Sequence, residues 1–259
     1  MDGSWYLPGS GRSGVDEYAA GHVPGAVFLD LDAVSDPDAA LPHMLPPAVK
    51  FASDMSALGL KDADAIVVYD GSGTNLSAAR VWWTFRVFGH REVAVLDGGM
   101  QKWRSEGRPV EPGVVRLPPG HFSARLNRAA VRDLAAMRTN LTRPQEQVVD
   151  VRAAARFRGV EPEPRPGIRA GHLPGSINLP FTDLVGPEGT ILPLNALRGR
   201  IEAAGIDLSQ PIIATCGSGT SACTLVLSLE LLGHRSVAVY DGAWTEWGGR
   251  SDTPVEAGP

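Results

Sequence analysis

Ile66-Val67-Val68-Tyr69-Asp70-Gly71-Ser72-Gly73-Thr74 and Ile212-Ile213-Ala214-Thr215-Cys216-Gly217-Ser218-Gly219-Thr220 are two copies of one pattern. Each is a short β-branched apolar run, which reads as a buried strand, leading into a loop of small residues. A helical pattern follows each loop, Ser77–Phe88 and Ser221–Leu232, and each ends at a glycine placed as a C-terminal cap, Gly89 and Gly233. Working outward, the pairing continues on both sides. Gly21-His22-Val23-Pro24-Gly25-Ala26-Val27 matches Gly171-His172-Leu173-Pro174-Gly175-Ser176-Ile177, and Phe88-Gly89-His90-Arg91 matches Leu232-Gly233-His234-Arg235. Val93-Ala94-Val95-Leu96-Asp97-Gly98-Gly99 matches Val237-Ala238-Val239-Tyr240-Asp241-Gly242-Ala243, and Trp103 matches Trp247. The order is kept, and the spacing drifts only from 150 residues (Gly21 to Gly171) to 144 (Val93 to Val237). That period is far longer than a solenoid repeat, so each copy is a domain.

Strand, turn, helix, strand in each copy implies α/β domains, each with a mostly parallel sheet covered by helices on both faces. The Pro/Gly-rich stretch from Pro109 to Gly120 sets the expected boundaries: a first domain over 1–110, a linker over 111–126 and a second domain over 127–259. The second copy has a helix-like segment, Ala129–Arg138, and a strand, Val148–Val151, before its first matching block. Aligning Asp150 with Asp2 leaves no room for either in the first copy. The first domain is therefore expected to be short of its first helix and first strand.

With 259 residues, 43% of them apolar, the chain can bury two full cores. A net charge of −5 argues against nucleic acid as a partner, because phosphate binding draws on a basic surface. No apolar run approaches the ~20 residues needed to span a bilayer, so no membrane association is expected. No basic-then-apolar leader precedes Ser4-Trp5-Tyr6, and a cytoplasmic location is expected. The two cysteines, Cys216 and Cys223, sit on a loop and the helix after it, roughly 10 Å apart. That exceeds the ~7 Å reach of a disulfide, and free thiols are expected. No Cys-x-x-Cys or His-x-x-x-His spacing suggests a metal site, and no cofactor is expected.

At Cys216 a buried strand ends in a tight loop before a helix. Successive backbone N–H groups can point at the sulfur there, together with the positive end of the helix dipole. Both favour a thiolate, and glycines permit close approach to an anion. The first copy has Asp70 at this position in an otherwise identical loop, and an aspartate cannot be a sulfur nucleophile. One domain is therefore expected to be active and the other not. Cys223, on the following helix, reads as core. A cysteine phosphatase would need an arginine six residues beyond the nucleophile, where this chain has Ala222.

These residues resemble the rhodanese superfamily in its tandem-domain form. Tyr18-x-x-x-His22-Val23-Pro24-Gly25-Ala26 resembles the family's N-terminal signature, and Val237-x-x-Tyr240-Asp241-Gly242-Ala243-Trp244-x-Glu246-Trp247 its C-terminal one. The resemblance implies a sulfurtransferase that carries sulfur as a persulfide on Cys216. Cys216-Gly217-Ser218-Gly219 is similar to the loop of members acting on 3-mercaptopyruvate, whereas thiosulfate members follow the cysteine with basic residues. Thr220-Ser221 departs slightly from the usual Val-Thr. By the same resemblance, Gly217, Gly219, Thr220 and Ser221 contact the substrate and Arg156 and Arg165 bind its carboxylate, a task suited to the bidentate guanidinium fork. It further implies that Ser218, His43 and Asp32 assist the cysteine, and that the acceptor is cyanide or a thiol, such as thioredoxin or a low-molecular-weight thiol. His22 and His172, present in both copies, are expected to serve the fold. The alternatives are the same cycle with thiosulfate as donor, and a non-catalytic sulfur-carrier or redox-sensing module.

Overall fold

A computed structural model describes residues 1–258. The elements, in chain order, are α1 (Gly14–Ala20), α2 (Leu31–Val34), α3 (Ala48–Ala57), β1 (Ile66–Val68), α4 (Leu76–Val87), β2 (Val93–Val95), α5 (Gly99–Ser105), β3 (Val131–Arg132), α6 (Leu134–Thr142), β4 (Gln147–Asp150), α7 (Ala154–Phe157), β5 (Ile177–Asn178), α8 (Leu194–Ala203), β6 (Ile212–Thr215), α9 (Ala222–Leu231), β7 (Val237–Tyr240) and α10 (Ala243–Gly249). The chain divides into two compact units. The first comprises 1–39, 45–127 and 186–191; the second comprises 40–44, 128–185 and 192–258. No helix among the described residues is long and apolar enough to cross a membrane.

The second unit contains a five-stranded parallel sheet in the order β3-β7-β6-β4-β5. Its central strand, β6, is buried at every residue, as expected of a strand covered on both faces. On one face, Ile213 and Tyr240 pack with Met137 of α6 and with Trp244 and Trp247 of α10. Ile212 and Ala214 point the other way, and α9 lies against β6 and β7 with eight of its ten residues buried. Fully burying each large apolar side chain contributes about 1.5–3 kcal/mol. The glycines closing α4 and α9 adopt the left-handed conformation, with φ of 93° at Gly89 and 79° at Gly233. The N–H groups that follow bond back to Phe85 and Leu229, completing the glycine cap.

In the first unit β1 and β2 pair in parallel, Ile66 with Val93 through Val68 with Val95. Asp2 bridges Phe28 and Tyr69. Asp150 occupies the same place in the second unit, between Asn178 and Thr215. Asp2 thus stands at the position that ends β4 in the second unit, and among the described residues the first unit shows no counterpart of β3 or α6. The exposure of the two sheets reflects this: Val67 is 50% exposed, whereas its match Ile213 is fully buried.

Two expectations shift. The helical pattern over Ala129–Arg138 is instead a short 3-10 turn (Arg128–Ala130), the strand β3 and then α6. Val131 and Arg132 pair with Val239 and Tyr240, and Asp133 caps the helix by accepting from the Ala136 N–H. Residues 111–126 do not form a free linker between domains 1–110 and 127–259, because the first unit runs to Asn127. Val115 N–H donates to the Tyr18 hydroxyl, and Gly120 N–H to the Ser56 carbonyl. Phe122 is buried against Phe51 and Phe85. Pro and Gly in this stretch mark irregular backbone rather than a tether.

Candidate active site

Cys216 lies directly after β6, and its loop runs to α9. Two backbone carbonyls fix the loop's orientation. That of Cys216 accepts from Trp244 N–H at 2.9 Å; that of Gly217 accepts from Thr245 N–H at 2.9 Å and from Thr245 Oγ1 at 2.5 Å. Both donors sit in the first turn of α10. A trans peptide group is planar, so turning these carbonyls toward α10 turns the N–H groups of Gly217 and Ser218 the opposite way, into the loop. Gly219 takes φ of 78°, a conformation natural to glycine. Ala243 takes φ of 50° where the first copy has Gly99 at 55°; a non-glycine there costs about 1 kcal/mol. Cys216 is 1% exposed.

Ser218 and Thr220 are buried and converge on one ring nitrogen. His43 Nδ1 lies 3.0 Å from Ser218 Oγ and 3.1 Å from Thr220 Oγ1. His43 arrives on 40–44, the segment of the first half of the sequence that belongs to the second unit. It is buried and holds φ of 60°. Ser221 takes the N-cap position of α9 without a side-chain capping bond.

Arg156, at the end of α7, reaches the same loop, and its Nη2 lies so near Gly217 that a Cβ there would come within 3.2 Å of it. Its guanidinium is held by Glu163: Nε reaches Oε1 at 3.3 Å, and Nη2 pairs closely with Oε2. Glu163 also takes Arg152 Nη1 at 2.6 Å, and Arg152 is bonded through Nε and Nη2 to Asp150, with its guanidinium over the Trp244 ring. Asp150, Arg152 and Glu163 have side chains at most 4% exposed, and Arg156 is 24% exposed. Arg165 is half-buried in the Pro-rich loop that follows.

The structure therefore gathers Cys216, Gly217, Ser218, Gly219, Thr220, Ser221, His43 and Arg156 in the second unit. Asp32 belongs to the first unit, in the first turn of α2, and its carboxylate accepts from Trp5 Nε1 at 3.0 Å. His22 and His172 serve the fold: the Nδ1 of each faces a backbone carbonyl, Tyr18 or Phe157, and both pair through the backbone with a glutamate, Glu111 or Glu256. Cys223 is fully buried with its Sγ 3.4 Å from the Gly219 carbonyl, and neither cysteine forms a disulfide. Among the described residues, no group of three or more His, Cys, Asp or Glu side chains could hold a metal ion. Sequence reasoning overlooked Glu163 and Thr245. Glu163 stands between two arginines in Arg156…Glu163-Pro164-Arg165, a usable signal. Thr245 is matched by Gln101 in the first copy and gave none.

The rhodanese-like domain model matches twice, over residues 13–106 and 133–250. The chain belongs to the rhodanese family. Its rhodanese-like relatives include the thiosulfate/3-mercaptopyruvate sulfurtransferase 1, mitochondrial, of Arabidopsis thaliana, 42% identical over 99% of this chain and 73% of that protein. The human 3-mercaptopyruvate sulfurtransferase is 44% identical over 95% of this chain and 84% of its own length. Among solved structures, SseA of Escherichia coli, described as a 3-mercaptopyruvate sulfotransferase of the rhodanese fold, superposes with a TM-score of 0.86. It is 39% identical and covers 94% of this chain and 91% of its own.

Proposed function

We propose that this rhodanese-family chain is a sulfurtransferase that takes the thiol sulfur of 3-mercaptopyruvate onto Cys216, where it becomes the sulfane sulfur of a persulfide, and passes it to a thiol or cyanide. The observation that carries the reading is the uncharged Cys216-Gly217-Ser218-Gly219 loop, its N–H groups turned inward by α10, with Arg156 beside it. An uncharged loop leaves recognition of the donor's charge to arginines outside it, and a single carboxylate suits Arg156 and Arg165.

The Cys216 thiolate attacks the sulfur of 3-mercaptopyruvate. A sulfur–sulfur bond forms as the carbon–sulfur bond breaks, and the electron pair leaves on carbon as the enolate of pyruvate. The inward N–H groups stabilise the anionic sulfur. The enolate takes a proton and departs as pyruvate, and Ser218 with His43 is the donor pair. The outer sulfur of the persulfide is then attacked by the acceptor, which leaves with it and restores the thiolate. Thioredoxin or a low-molecular-weight thiol fits the acceptor's role. Two thiols with no disulfide between them suit a reducing compartment, and we assign the cytoplasm.

The name of the Arabidopsis relative carries both donors, which keeps thiosulfate as a second reading. Turnover on both donors with cyanide as acceptor, together with mass spectrometry of Cys216, tests the assignment. We expect kcat/KM for 3-mercaptopyruvate at least tenfold above that for thiosulfate, and one added sulfur on Cys216. The reverse preference overturns the donor; no added sulfur from either donor favours a non-catalytic module.

A further inference from the structure

We propose that Glu163 is a positioning residue that sets both the orientation and the net charge of the donor site, and so the preference for a monoanionic over a dianionic donor. This rests on reading Arg156 as the carboxylate-binding arginine.

The geometry is a chain of alternating charges, Asp150, Arg152, Glu163, Arg156, that runs from the end of β4 to Gly217. Its first three members are almost wholly buried. Burying charges is expensive, and such a chain is poorly explained by stability alone. The first copy has Asp2 matched to Asp150, but Ser4 stands where Arg152 would be, so the inactive loop has no such chain. Glu163 grips Arg156 along its Nε–Nη2 edge. The guanidinium plane is thereby fixed, and the Nη1 group is kept for a ligand. The four charges also sum to zero. With Arg165, the second arginine of the proposed reading, the site carries one net positive charge, which matches the single carboxylate that binds the oriented fork and falls short of a dianion such as thiosulfate. Neutralising Glu163 loosens the fork and adds one positive charge, and these changes act in opposite directions on the two donors.

The experiment compares kcat/KM for 3-mercaptopyruvate and for thiosulfate in the full chain and in Glu163→Gln, with thermal melting alongside. We expect KM for 3-mercaptopyruvate to rise about tenfold with kcat within threefold, and the ratio of the two kcat/KM values to move at least tenfold toward thiosulfate. A merely structural role would depress both donors together, and a ratio within twofold of wild type overturns the inference. Should Glu163→Gln fail to fold, Glu163→Asp decides: it keeps the charge but withdraws the carboxylate by one methylene, and a KM for 3-mercaptopyruvate within twofold of wild type overturns the positioning role. Arg156→Gln separates the two readings. If it leaves KM for 3-mercaptopyruvate unchanged, the assignment of Arg156 fails and this inference with it. If it raises KM while the Glu163 variants do not, only the inference fails.

Discussion

The loops after β1 and β6 share the sequence Gly-Ser-Gly-Thr and differ in what they close upon. In the first, Asp70 fills the loop with its own carboxylate. Oδ1 accepts from Ser72 N–H at 2.8 Å and Ser72 Oγ at 2.6 Å, and Oδ2 from Ala78 N–H at 2.8 Å and Ser77 Oγ at 3.2 Å. The Tyr6 hydroxyl lies over Gly71, where a Cβ would come within 2.4 Å of it. In the second, Cys216 brings a sulfur and no competing oxygen, so the inward N–H groups are kept for whatever the sulfur carries. The scaffolding is otherwise shared: the Asp70 carbonyl accepts from Met100 N–H at 2.9 Å just as that of Cys216 accepts from Trp244. The loop is thus closed by its own carboxylate in the first copy, and no such carboxylate stands in the second.

The largest effects should come from exchanging the two residues. Cys216→Ala should lower sulfur transfer by about four orders of magnitude or more while changing stability by only about 1 kcal/mol. Asp70→Cys, introduced into that variant, should not restore transfer, and should destabilise the protein by about 2–4 kcal/mol through lost charge-assisted bonds and stranded buried donors. Turnover with cyanide and urea denaturation check both. A persulfide on the cysteine introduced by Asp70→Cys, with measurable transfer, would show that the first loop lacks only its nucleophile.

The segments inserted beside the loops sharpen the comparison. Pro47 and Pro193, 146 residues apart, precede α3 and α8 equivalently, and the same offset sets His43 against Gly189. Each lies beside its unit's loop: Gly189 against Gly73, with its carbonyl accepting from Asn75, and His43 against Ser218 and Thr220. Their φ angles are 75° and 60°. The backbone position therefore asks for glycine, and a histidine held there at about 1 kcal/mol of strain is explained by its side chain. His43→Gly should lower kcat by about 10²–10³ with little change in KM. Relief of strain should offset most of the lost packing, leaving stability within about 1 kcal/mol of wild type. Turnover within tenfold of wild type in a folded His43→Gly would remove His43 from the chemistry.

This offset also shows where the sequence was legible and where it was not. β6, β7 and the two glycine caps were readable because apolar runs and left-handed glycines are local signals. The segment over 129–138 has a helical period that masks its start, although an N-cap aspartate at 133 preceded by the β-branched Val131 marks a strand turning into a helix. The packing of 111–126 was hidden because irregular backbone carries no period, and Phe122 alone hinted that it is buried. Cys216, Ser218 and Arg156 stand out in the sequence through the loop and the family pattern, as candidates for the site. Glu163 does not, because the ion-pair chain it joins is assembled only by folding.

The smallest effect concerns the inactive loop's own strap. Arg12 donates to the Gly71 carbonyl, lies over the Tyr6 ring and pairs with Glu17 through Nε and Nη2, both at 2.7 Å. The Arg12 hydrogen bonds hold the Glu17 carboxyl below its ordinary value, against the opposing effect of partial burial. Because the folded value is depressed, the carboxylate contributes stability that is fully present above the unfolded value of about 4.3 and is lost as pH falls through the folded one. Both partners are about two-fifths exposed, so the contribution should be at most ~0.5 kcal/mol. Glu17→Gln should therefore leave sulfur transfer unchanged near neutral pH and lower stability slightly there, with the difference from wild type vanishing below about pH 3. Urea midpoints across the range from about pH 3 to about pH 8 measure it. A difference that persists undiminished at the acid end would mean that Glu17 acts through the shape of its contacts with Tyr6 and Arg12 rather than through charge, and that the first copy's loop is closed by packing as much as by the carboxylate it carries.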